Sequence, residues 1–356
     1  MADTASTRRK TAETPRLVVS AHDRTLQARI VRRVPMHYAD GADPDTDRPG
    51  YVRAASSMAW VGTRVAMVQD DVNFVALVDP ATGLAHAVTL PAGKDGLRQF
   101  DDGRGNKKHR LDMEALVRVP STGGTMLIAF GSGSKKRREN VVTLRFSGRD
   151  HDPDATVATL AEMPDLYAAL RAESHFAGSE MNIEGALYHD GAIRLFGRGN
   201  GEAKDDLHPL DATCDLNWED LQAHLRDPRS DTLPVIQRIT QYELGEIDGV
   251  GLGFTDAIRA GRASAIYTAA AEASKDADSD GDVGGSVLGV LPDDRRQPAR
   301  WTHLLDEAGK PFAGKVEGLV LDRRESSRAF VVVDVDDHSR PSELCEVMLA
   351  GSWPTR

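Results

Sequence analysis

The stretch MNIEGALYHDGAIRLFGRGNG, residues 181–201, predicts two short β-strands joined by a tight turn. Apolar residues alternate with polar ones on both sides of His189-Asp190-Gly191, as they do in half-buried strands. The glycine tolerates the positive φ that a tight hairpin turn requires. A carboxylate, Glu184, nevertheless stands near the start of the first strand, directly before another glycine.

The acid at this position recurs along the chain, each time before a small residue and a pair of apolar strands. In LDMEALVRVPSTGGTMLIAFGSGS, residues 111–134, the acid is Glu114 and the small residue is Ala115. A weaker first copy has Met58 in place of the acid. The five copies, at steps of 56, 70, 72 and 61 residues, are 55–71 (Met58), 111–134 (Glu114), 181–201 (Glu184), 253–274 (Asp256) and 315–337 (Glu317).

A strand-rich unit that recurs in this way predicts a β-propeller. Each unit supplies a few strands with local connections, and one such small sheet cannot bury both of its faces. Packing the sheets around an axis buries the faces and protects the edges. We therefore expect an all-β chain that forms a β-propeller with five blades, or with six if one blade is too degenerate to recognise. A two-sheet sandwich is the structural alternative, but it gives no reason for the recurring acid.

The segments outside the repeats fit a single propeller domain over residues 15–356. The sequences of residues 163–173 and 216–226 predict short helical insertions between strands. The strand-like QARIVRRVP, residues 27–35, is expected to pair with the last unit and close the ring. Residues 1–14 are polar and rich in small residues, which predicts a disordered tail.

Composition limits the partners that we expect for this chain. Of its 356 residues, 40% are hydrophobic and 28% are charged, as in a soluble globular protein. A net charge of −11 argues against general binding to nucleic acid or to an anionic membrane. No apolar run reaches the roughly 18 residues of a membrane helix, and the N-terminal basic residues lack the apolar core of a signal peptide. With two cysteines, Cys214 and Cys345, the cytoplasm is the expected location.

The recurring acids are expected to meet at one end of the propeller tunnel, because the first strand of each blade lines the axis. Carboxylates that lie close together raise one another's pKa, and burial adds to the effect. A bound cation, neighbouring basic groups or shared protons would relieve the repulsion. Together with Asn182, the acids offer the hard oxygen ligands that Ca²⁺, Mg²⁺ and Mn²⁺ prefer. The alternative is that each acid accepts backbone N–H bonds from the neighbouring blade.

Two basic loops of the second unit, residues 103–112 and 131–140, are expected on the same face as these acids. They bring His109, a candidate general base, to the tunnel mouth. Because Arg and Lys bind carboxylates and phosphates, a small anionic molecule is the expected ligand. The alternative is that these loops are solvated tips. The predicted substrate-binding residues on this face are Arg110, Lys135, Arg198, Asn200 and Glu272.

A separate acidic feature is DADSDGD, residues 276–282, which matches the first half of an EF-hand calcium loop. Val287 stands where a complete loop has a bidentate glutamate. A surface calcium site and a flexible acidic loop are both compatible with this pattern.

The motifs LDMEAL, GSGS, MNIEGA, GRGN, GFTDA, KVEGL and VDVDD, spread over residues 50–350, resemble those of an uncharacterised bacterial β-propeller family. More distantly, the chain is similar to the phytase-like esterase and gluconolactonase families of calcium-dependent propeller hydrolases. Those families hold a divalent ion at the tunnel mouth with acids and amides from inner strands. The resemblance implies metal-ligand roles for Glu114, Asn182, Glu184, Asp256 and Glu317.

These features lead to the hypothesis of a metal-dependent hydrolase, with Ca²⁺ as the expected ion. It would cleave an ester, lactone or phosphoester bond of a small anionic substrate, with Glu114, Glu184 and His109 as catalytic residues. Two alternatives stay open. One is a non-catalytic propeller that binds a small ligand or a protein partner. The other is a metal-free enzyme that uses one protonated and one ionised acid.

Overall fold

The structure, a computed structural model, describes residues 15–147, 156–273, 281–335 and 337–354. The tail expected to be disordered, residues 1–14, lies outside the described residues. So do residues 276–280, which carry most of the acidic calcium-like loop, and Asp336 at the end of the last repeat.

In the described ranges, antiparallel pairing groups the main strands into five meanders of four strands, which we call blades 1–5. The chain passes from the innermost strand of each blade to the outermost, and the last blade takes its outermost strand from the N-terminal part. From the inside outward, blade 1 comprises Ala55–Val61, Arg64–Gln69, Phe74–Val78 and Leu84–Thr89; blade 2 Met113–Val119, Thr125–Gly131, Asn140–Phe146 and Thr156–Glu162; blade 3 Ile183–His189, Ala192–Gly197, Asp211–Asn217 and Ile236–Glu243; blade 4 Val250–Ala260, Ser264–Ala273, Asp282–Pro292 and Ala299–Leu305; and blade 5 Lys315–Leu321, Arg328–Asp334, Glu343–Gly351 and Leu26–Pro35.

The inner strands of these blades form a closed ring. Each inner strand packs against that of the next blade, and the inner strand of blade 5 packs against that of blade 1. The strand Leu26–Pro35 closes the ring by pairing antiparallel with Glu343–Gly351. The prediction of a β-propeller is therefore confirmed, and so is the closing role predicted for residues 27–35.

Three further strands extend the blades at their edges. Arg16–His22 runs parallel to both Ile236–Glu243 and Ala299–Leu305, and so joins blades 3 and 4. His37–Tyr38 pairs with the outermost strand of blade 1, and Glu246–Ile247 pairs with the inner strand of blade 4. The N-terminal part of the chain thus contacts several blades rather than one.

The predicted helical insertions are present in blade 3 and in the segment before it. Pro164–Ala172 and Ser174–Ala177 form the first, and Trp218–Arg226 forms the second. The Asn217 side chain caps the latter by accepting the Asp220 N–H at 3.0 Å. Among the described residues, no helix has the length and apolar character needed to span a bilayer. Short 3₁₀ helices are Pro44–Thr46, Lys94–Gly96, Lys107–His109 and Lys136–Arg138.

Apolar side chains fill the spaces between neighbouring blades. At the boundary of blades 3 and 4, the ring of Phe254 packs edge-to-face against Phe196 and Tyr242, with centroids 5.2 Å away in both cases. Tyr267 completes this cluster at 5.4 Å. Aromatic rings in this arrangement add a directional attraction to the burial of their apolar surface. Such contacts fix how adjacent blades meet.

The inner strands approach one another too closely for a side chain at two glycines. A Cβ atom on Gly185 would lie 3.1 Å from Asp256 Cα, and one on Gly318 would lie 2.4 Å from the Ser56 carbonyl oxygen. A glycine in a strand often marks such a close backbone approach. The small residue after the recurring acid therefore lets the inner strands of adjacent blades approach closely at these positions.

Replacing Gly318 with Ala should lower the free energy of unfolding by about 1–3 kcal/mol, because the new Cβ collides with backbone that cannot easily move. Gly123→Ala is the matched control, since a Cβ there meets nothing within 4 Å. It should leave stability unchanged or raise it slightly. Urea unfolding measures both variants, and a Gly318→Ala protein as stable as the wild type would contradict the close approach.

Candidate functional site

A polar cavity of about 210 Å³ lies at the end of the tunnel where the inner strands begin. Its lining is strongly acidic: the described residues that line it include eleven carboxylic acids and four Lys or Arg side chains. Such an excess of one sign attracts positively charged ligands and disfavours anions. The acids are Asp70, Asp71, Asp101, Asp102, Asp112, Glu114, Glu184, Glu272, Glu317, Asp334 and Asp337, and the basic residues are Lys107, Arg110, Arg198 and Lys315.

Most of the site residues predicted from the sequence line this cavity. They come from separate repeats, as expected if the units superpose around an axis. Those present in the lining are Arg110, Glu114, Asn182, Glu184, Arg198, Asn200, Glu272 and Glu317. Three others, Asp256, His109 and Lys135, are not among the described residues that line it.

A β-bulge near the start of the inner strands aims three glutamates into the cavity. In blade 2 the pairing register jumps from Met113 to Ala115, which leaves Glu114 out of the ladder. Glu184 in blade 3 and Glu317 in blade 5 occupy the same bulged position. A bulged residue has no partner across the strand pair and its side chain is redirected. Three carboxylates from three blades are therefore brought to one space.

The bulge of blade 4 precedes its acid by one residue. The register jumps from Phe254 to Asp256, so Thr255 is the bulged residue and Asp256 stays in the ladder opposite Thr268. The sequence alignment of Asp256 with the three glutamates is thus one residue out of register. A shift of one residue turns a side chain to the other face of a strand, which explains why Asp256 is not part of the cavity lining.

Asp256 instead ties three blades together inside the tunnel. Its Oδ2 accepts the backbone N–H of Leu319 in blade 5 at 3.0 Å, and its Oδ1 accepts the hydroxyl of Ser57 in blade 1 at 3.2 Å. Burial raises the pKa of this carboxyl well above its usual range. These contacts give Asp256 the structural role that was the alternative interpretation of the recurring acids.

Blade 1 supplies its acids from another position. Its register jumps from Ala55 to Met58, which puts two serines, residues 56–57, at the bulge. Asp70 and Asp71 follow its second strand and line the cavity. Sequence reasoning missed them because it looked for an acid at the start of the inner strand. The available signal was the loop position itself, since the sequence predicts that the corresponding loop of the second unit, residues 131–140, lies on the same face as the acids.

Two cations inside the ring of acids pair with three of the glutamates. Lys315 Nζ lies 2.8 Å from Glu317 Oε1 and 3.3 Å from Glu272 Oε2. Arg198 lies 2.7 Å from Glu272 Oε2 through Nη2, and 3.7 Å from Glu184 Oε1 through Nη1. Neighbouring basic groups thus relieve part of the repulsion between the clustered carboxylates.

The balance between burial and these cations differs from one glutamate to the next. Burial alone would raise the pKa of Glu272, but Arg198 and Lys315 outweigh it and hold that pKa at about 2. Burial raises the pKa of Glu184 to about 8, even though Arg198 opposes the shift. At neutral pH Glu272 is therefore ionised, whereas Glu184 exchanges its proton readily.

Asn182 orients the Glu184 carboxyl. Its Nδ2 donates to Glu184 Oε1 at 2.6 Å and to Asn200 Oδ1 at 3.3 Å. This hydrogen-bonded pair of amides holds the Glu184 carboxyl at the wall of the cavity.

Glu114 differs from the other glutamates of the lining because no cation among the described residues pairs with it. Within the described part of the chain, no hydrogen bond or ion pair reaches its carboxyl. Burial raises the pKa of Glu114 well above its usual range, and the negative charges of Asp112 and Glu184 add to the shift. The uncharged form of this carboxyl is therefore favoured until a positive charge binds beside it.

Glu114 also belongs to a group of three acids with the spacing of metal ligands. One carboxylate oxygen from each of Asp70, Asp112 and Glu114 lies within 4.8 Å of the other two. Two arginines hold the Asp112 carboxylate. Arg110 Nε lies 2.5 Å from its Oδ1, and Arg138 Nη1 lies 3.1 Å from its Oδ2. Of these three acids, only Glu114 was among the metal ligands that the sequence resemblance implied.

The two remaining predicted residues lie in the basic loops rather than in the cavity lining. His109 is half-buried, and its Nδ1 is 3.0 Å from Arg137 Nη1. Partial burial and the Arg137 charge lower the pKa of His109. Lys135 is exposed to solvent. The catalytic and binding roles predicted for these two residues stay predictions.

A known sequence family matches this architecture from its first blade to its last. The family profile covers residues 51–349, which include all five inner strands. The chain belongs to DUF6929, a family of unknown function. No curated protein sequence is detectably similar to the chain. The more distant likeness to phytase-like esterases and gluconolactonases stays a prediction.

Several solved structures are similar to this DUF6929 protein at low sequence identity. The glutaminyl cyclase of Myxococcus xanthus is 10% identical, with a TM-score of 0.45 over 95% of this chain and 100% of its own. The PQQ-bound aldose sugar dehydrogenase of Streptomyces coelicolor is 11% identical, with a TM-score of 0.41 over 92% and 100%. A family GH43 β-1,3-galactosidase is 9% identical, with a TM-score of 0.47 over 88% of this chain and 58% of its own. At these values the similarities carry no information about activity.

Replacing Glu272 with Gln should destabilise the protein at neutral pH but not in strong acid. The folded-state pKa of about 2 lies below the ordinary value of 4.5. The ionised group therefore contributes stability above the unfolded-state pKa, and this contribution is lost as the pH falls through the folded-state value. We expect a loss of about 2–3 kcal/mol near neutral pH that shrinks towards zero at about pH 2.

Urea unfolding of both proteins across this pH range measures the difference. Glu202→Gln, at an exposed loop position, is the control and should behave as the wild type throughout. A penalty for Glu272→Gln that does not change with pH would contradict the assignment of an ionised Glu272 held by Arg198 and Lys315.

Proposed function

We propose that this protein is a hydrolase that uses a divalent cation in the polar cavity to cleave an ester, lactone or phosphoester bond of a small substrate. The observation that carries the proposal is the convergence of Asp70, Asp112 and Glu114, whose oxygens lie within 4.8 Å of one another. Three carboxylate oxygens at this spacing can contact one ion at the distances typical of Ca²⁺, Mg²⁺ or Mn²⁺.

The chemistry of these three acids fits a hard cation. Glu114 has no partner charge among the described residues, so an ion beside it would remove the repulsion that raises its pKa. Asp112 already forms ion pairs with Arg110 and Arg138. Each carboxylate oxygen has two lone pairs, however, so Asp112 can bind an ion as well. The two arginines then fix the direction in which Asp112 presents its oxygens.

Within such a site, the bound cation and the residues around it would have different catalytic roles. A bound cation would polarise the scissile carbonyl or phosphoryl group and lower the pKa of a water molecule. Glu184, whose pKa is about 8, can accept or return a proton near neutral pH. Asn182 holds that carboxyl in place through its 2.6 Å hydrogen bond. Glu184 therefore supplies the general acid–base function of the proposal.

The charge of the cavity determines how an anionic substrate would bind. Arg198 and Lys315 already pair with glutamates, and Arg110 pairs with Asp70 at 2.8 Å and with Asp112. Since acids also outnumber basic residues in the lining, a carboxylate or phosphate would be repelled without an added positive charge. Binding of a small anionic substrate is therefore expected to require the cation.

Calorimetric titration with Ca²⁺, Mg²⁺ and Mn²⁺ tests the cation site directly. The wild type should bind one of these ions, and Glu114→Gln or Asp70→Asn should weaken binding by about tenfold or more because a charged ligand is lost. Asp190→Asn is the matched control, since this side chain is 89% exposed and lies outside the cavity lining. Absence of binding in the wild type would refute the proposed cation.

A chelator experiment tests the hydrolase. Turnover on a panel of aryl esters, lactones and aryl phosphates should fall by about a hundredfold or more with EDTA, since metal-ion catalysis supplies several kcal/mol. Added Ca²⁺, Mg²⁺ or Mn²⁺ should restore it. Lack of turnover on the whole panel with the ion present would contradict the hydrolase, even if the cation binds.

A metal-free acid–base enzyme is the second candidate, and one observation favours it. The environments of Glu114 and Glu272 push their pKa values in opposite directions, which is the arrangement of an acid–base pair. Turnover that resists EDTA and is abolished by both Glu114→Gln and Glu272→Gln would select this candidate over the metal-dependent one.

A further inference from the structure

A second cavity, of about 610 Å³, lies at the other end of the tunnel, where the inner strands end. All five blades contribute to its lining. No described residue lines both this cavity and the acidic one. Its volume lies within the range of about 300–1,000 Å³ that is usual for small-molecule sites. Neither the proposed hydrolase nor the family gives this cavity a role.

Most of the described residues that line this second cavity are apolar. Residues such as Met58, Leu116, Leu187 and Val320 line it, each from a different blade. Trp60 contributes an aromatic ring, whose Nε1 donates to the Leu321 carbonyl oxygen at 2.8 Å. With its polar atom already bonded, the tryptophan offers an apolar surface to a ligand.

Three arginines stand among these apolar residues, and no carboxylate is among the described residues that line the cavity. Arg118, on blade 2, is exposed to solvent. Arg323, after the inner strand of blade 5, lies with its Cζ 5.3 Å from the centroid of the Trp60 ring. Arg259, on blade 4, pairs with Asp293 at 2.7 Å. The positive charge here contrasts with the eleven acids at the other end of the tunnel.

We infer that this cavity binds a small amphipathic anion, an organic acid with an aromatic or medium-length aliphatic body. The body would bury its apolar surface against the inner strands, and the acid group would bind the guanidinium groups. Arginine suits this task because its planar donors match a carboxylate in pairs and its face stacks on an aromatic ring. Arg118 is the main anchor, because its guanidinium has no ion pair to give up within the described part of the chain.

Binding of naphthoate and of its uncharged analogue naphthamide, measured by calorimetry and by the fluorescence of the protein, tests the inference. The wild type should bind naphthoate at least about tenfold more tightly than naphthamide, because only the acid can pair with arginine. Laurate should compete with naphthoate for the site. Equal affinity for the acid and the amide, or no binding of naphthoate at about millimolar concentration, would overturn the inference.

Arg118→Gln should weaken naphthoate binding by about tenfold and leave naphthamide binding unchanged. Arg145→Gln is the matched control, because Arg145 is exposed on the same blade and is not among the lining residues. An Arg118→Gln protein that binds naphthoate as tightly as the control would place the acid elsewhere and overturn the inference. If this variant fails to fold, the comparison of acid and amide on the wild type still decides the question.

The same variant separates this inference from the proposed hydrolase. Because the two cavities have no lining residue in common within the described ranges, Arg118→Gln should bind divalent cations as the wild type does. Conversely, Glu114→Gln should bind naphthoate normally. Loss of naphthoate binding in Glu114→Gln would show that the probe occupies the acidic cavity and would overturn the assignment to the second one.

Discussion

The β-bulge near the start of the inner strands is the constraint on which the acidic cavity depends. Side chains alternate along a regular strand, so one unpaired residue decides which of them face the axis and which face a neighbouring blade. In blades 2, 3 and 5 the bulge carries a glutamate and presents it to the cavity. In blade 4 the acid follows the bulge, and Asp256 bonds to two other blades instead. The same backbone irregularity thus places a glutamate in the cavity in three blades, whereas in the fourth blade the aspartate after it forms hydrogen bonds with other blades.

The distribution of positive charge gives the clustered acids different chemistry. Arg198 and Lys315 share the carboxylate of Glu272, which keeps it ionised, and each also reaches one further glutamate. Glu114 receives no such partner among the described residues, so its carboxyl bears the full cost of burial beside other acids. Groups of identical chemical type therefore differ in the protonation that they favour. This asymmetry makes Glu114 the place where an added cation or a bound proton changes the energy of the site most.

The repeats and the closing strand could be predicted from the sequence because both are carried by local patterns of apolar residues. The glutamates were recognised for the same reason, since the acid and its following small residue recur as a short motif. The position of Asp256 could not be predicted in this way. Its register depends on pairing with Thr268 and on the bulge at Thr255, and local sequence does not encode which residue leaves the ladder. The role of Asp70 could not be predicted for a related reason. Blade 1 has serines at the bulge, and its acids lie in the loop after its second strand.

Close packing between the two cavities lets the ends of the tunnel differ in charge. Gly185 and Gly318 bring the inner backbones together, and the Asp256 hydrogen bonds cross the tunnel at the same level. In an open channel, mobile ions and water would connect the acids at one end with the arginines at the other and weaken both potentials. The close backbone approaches at these two glycines leave little room for such exchange, so each end can keep its own sign. The net charge of −11 therefore does not predict the local charge at either end of the tunnel. The charged residues that line each cavity determine which ligands it attracts.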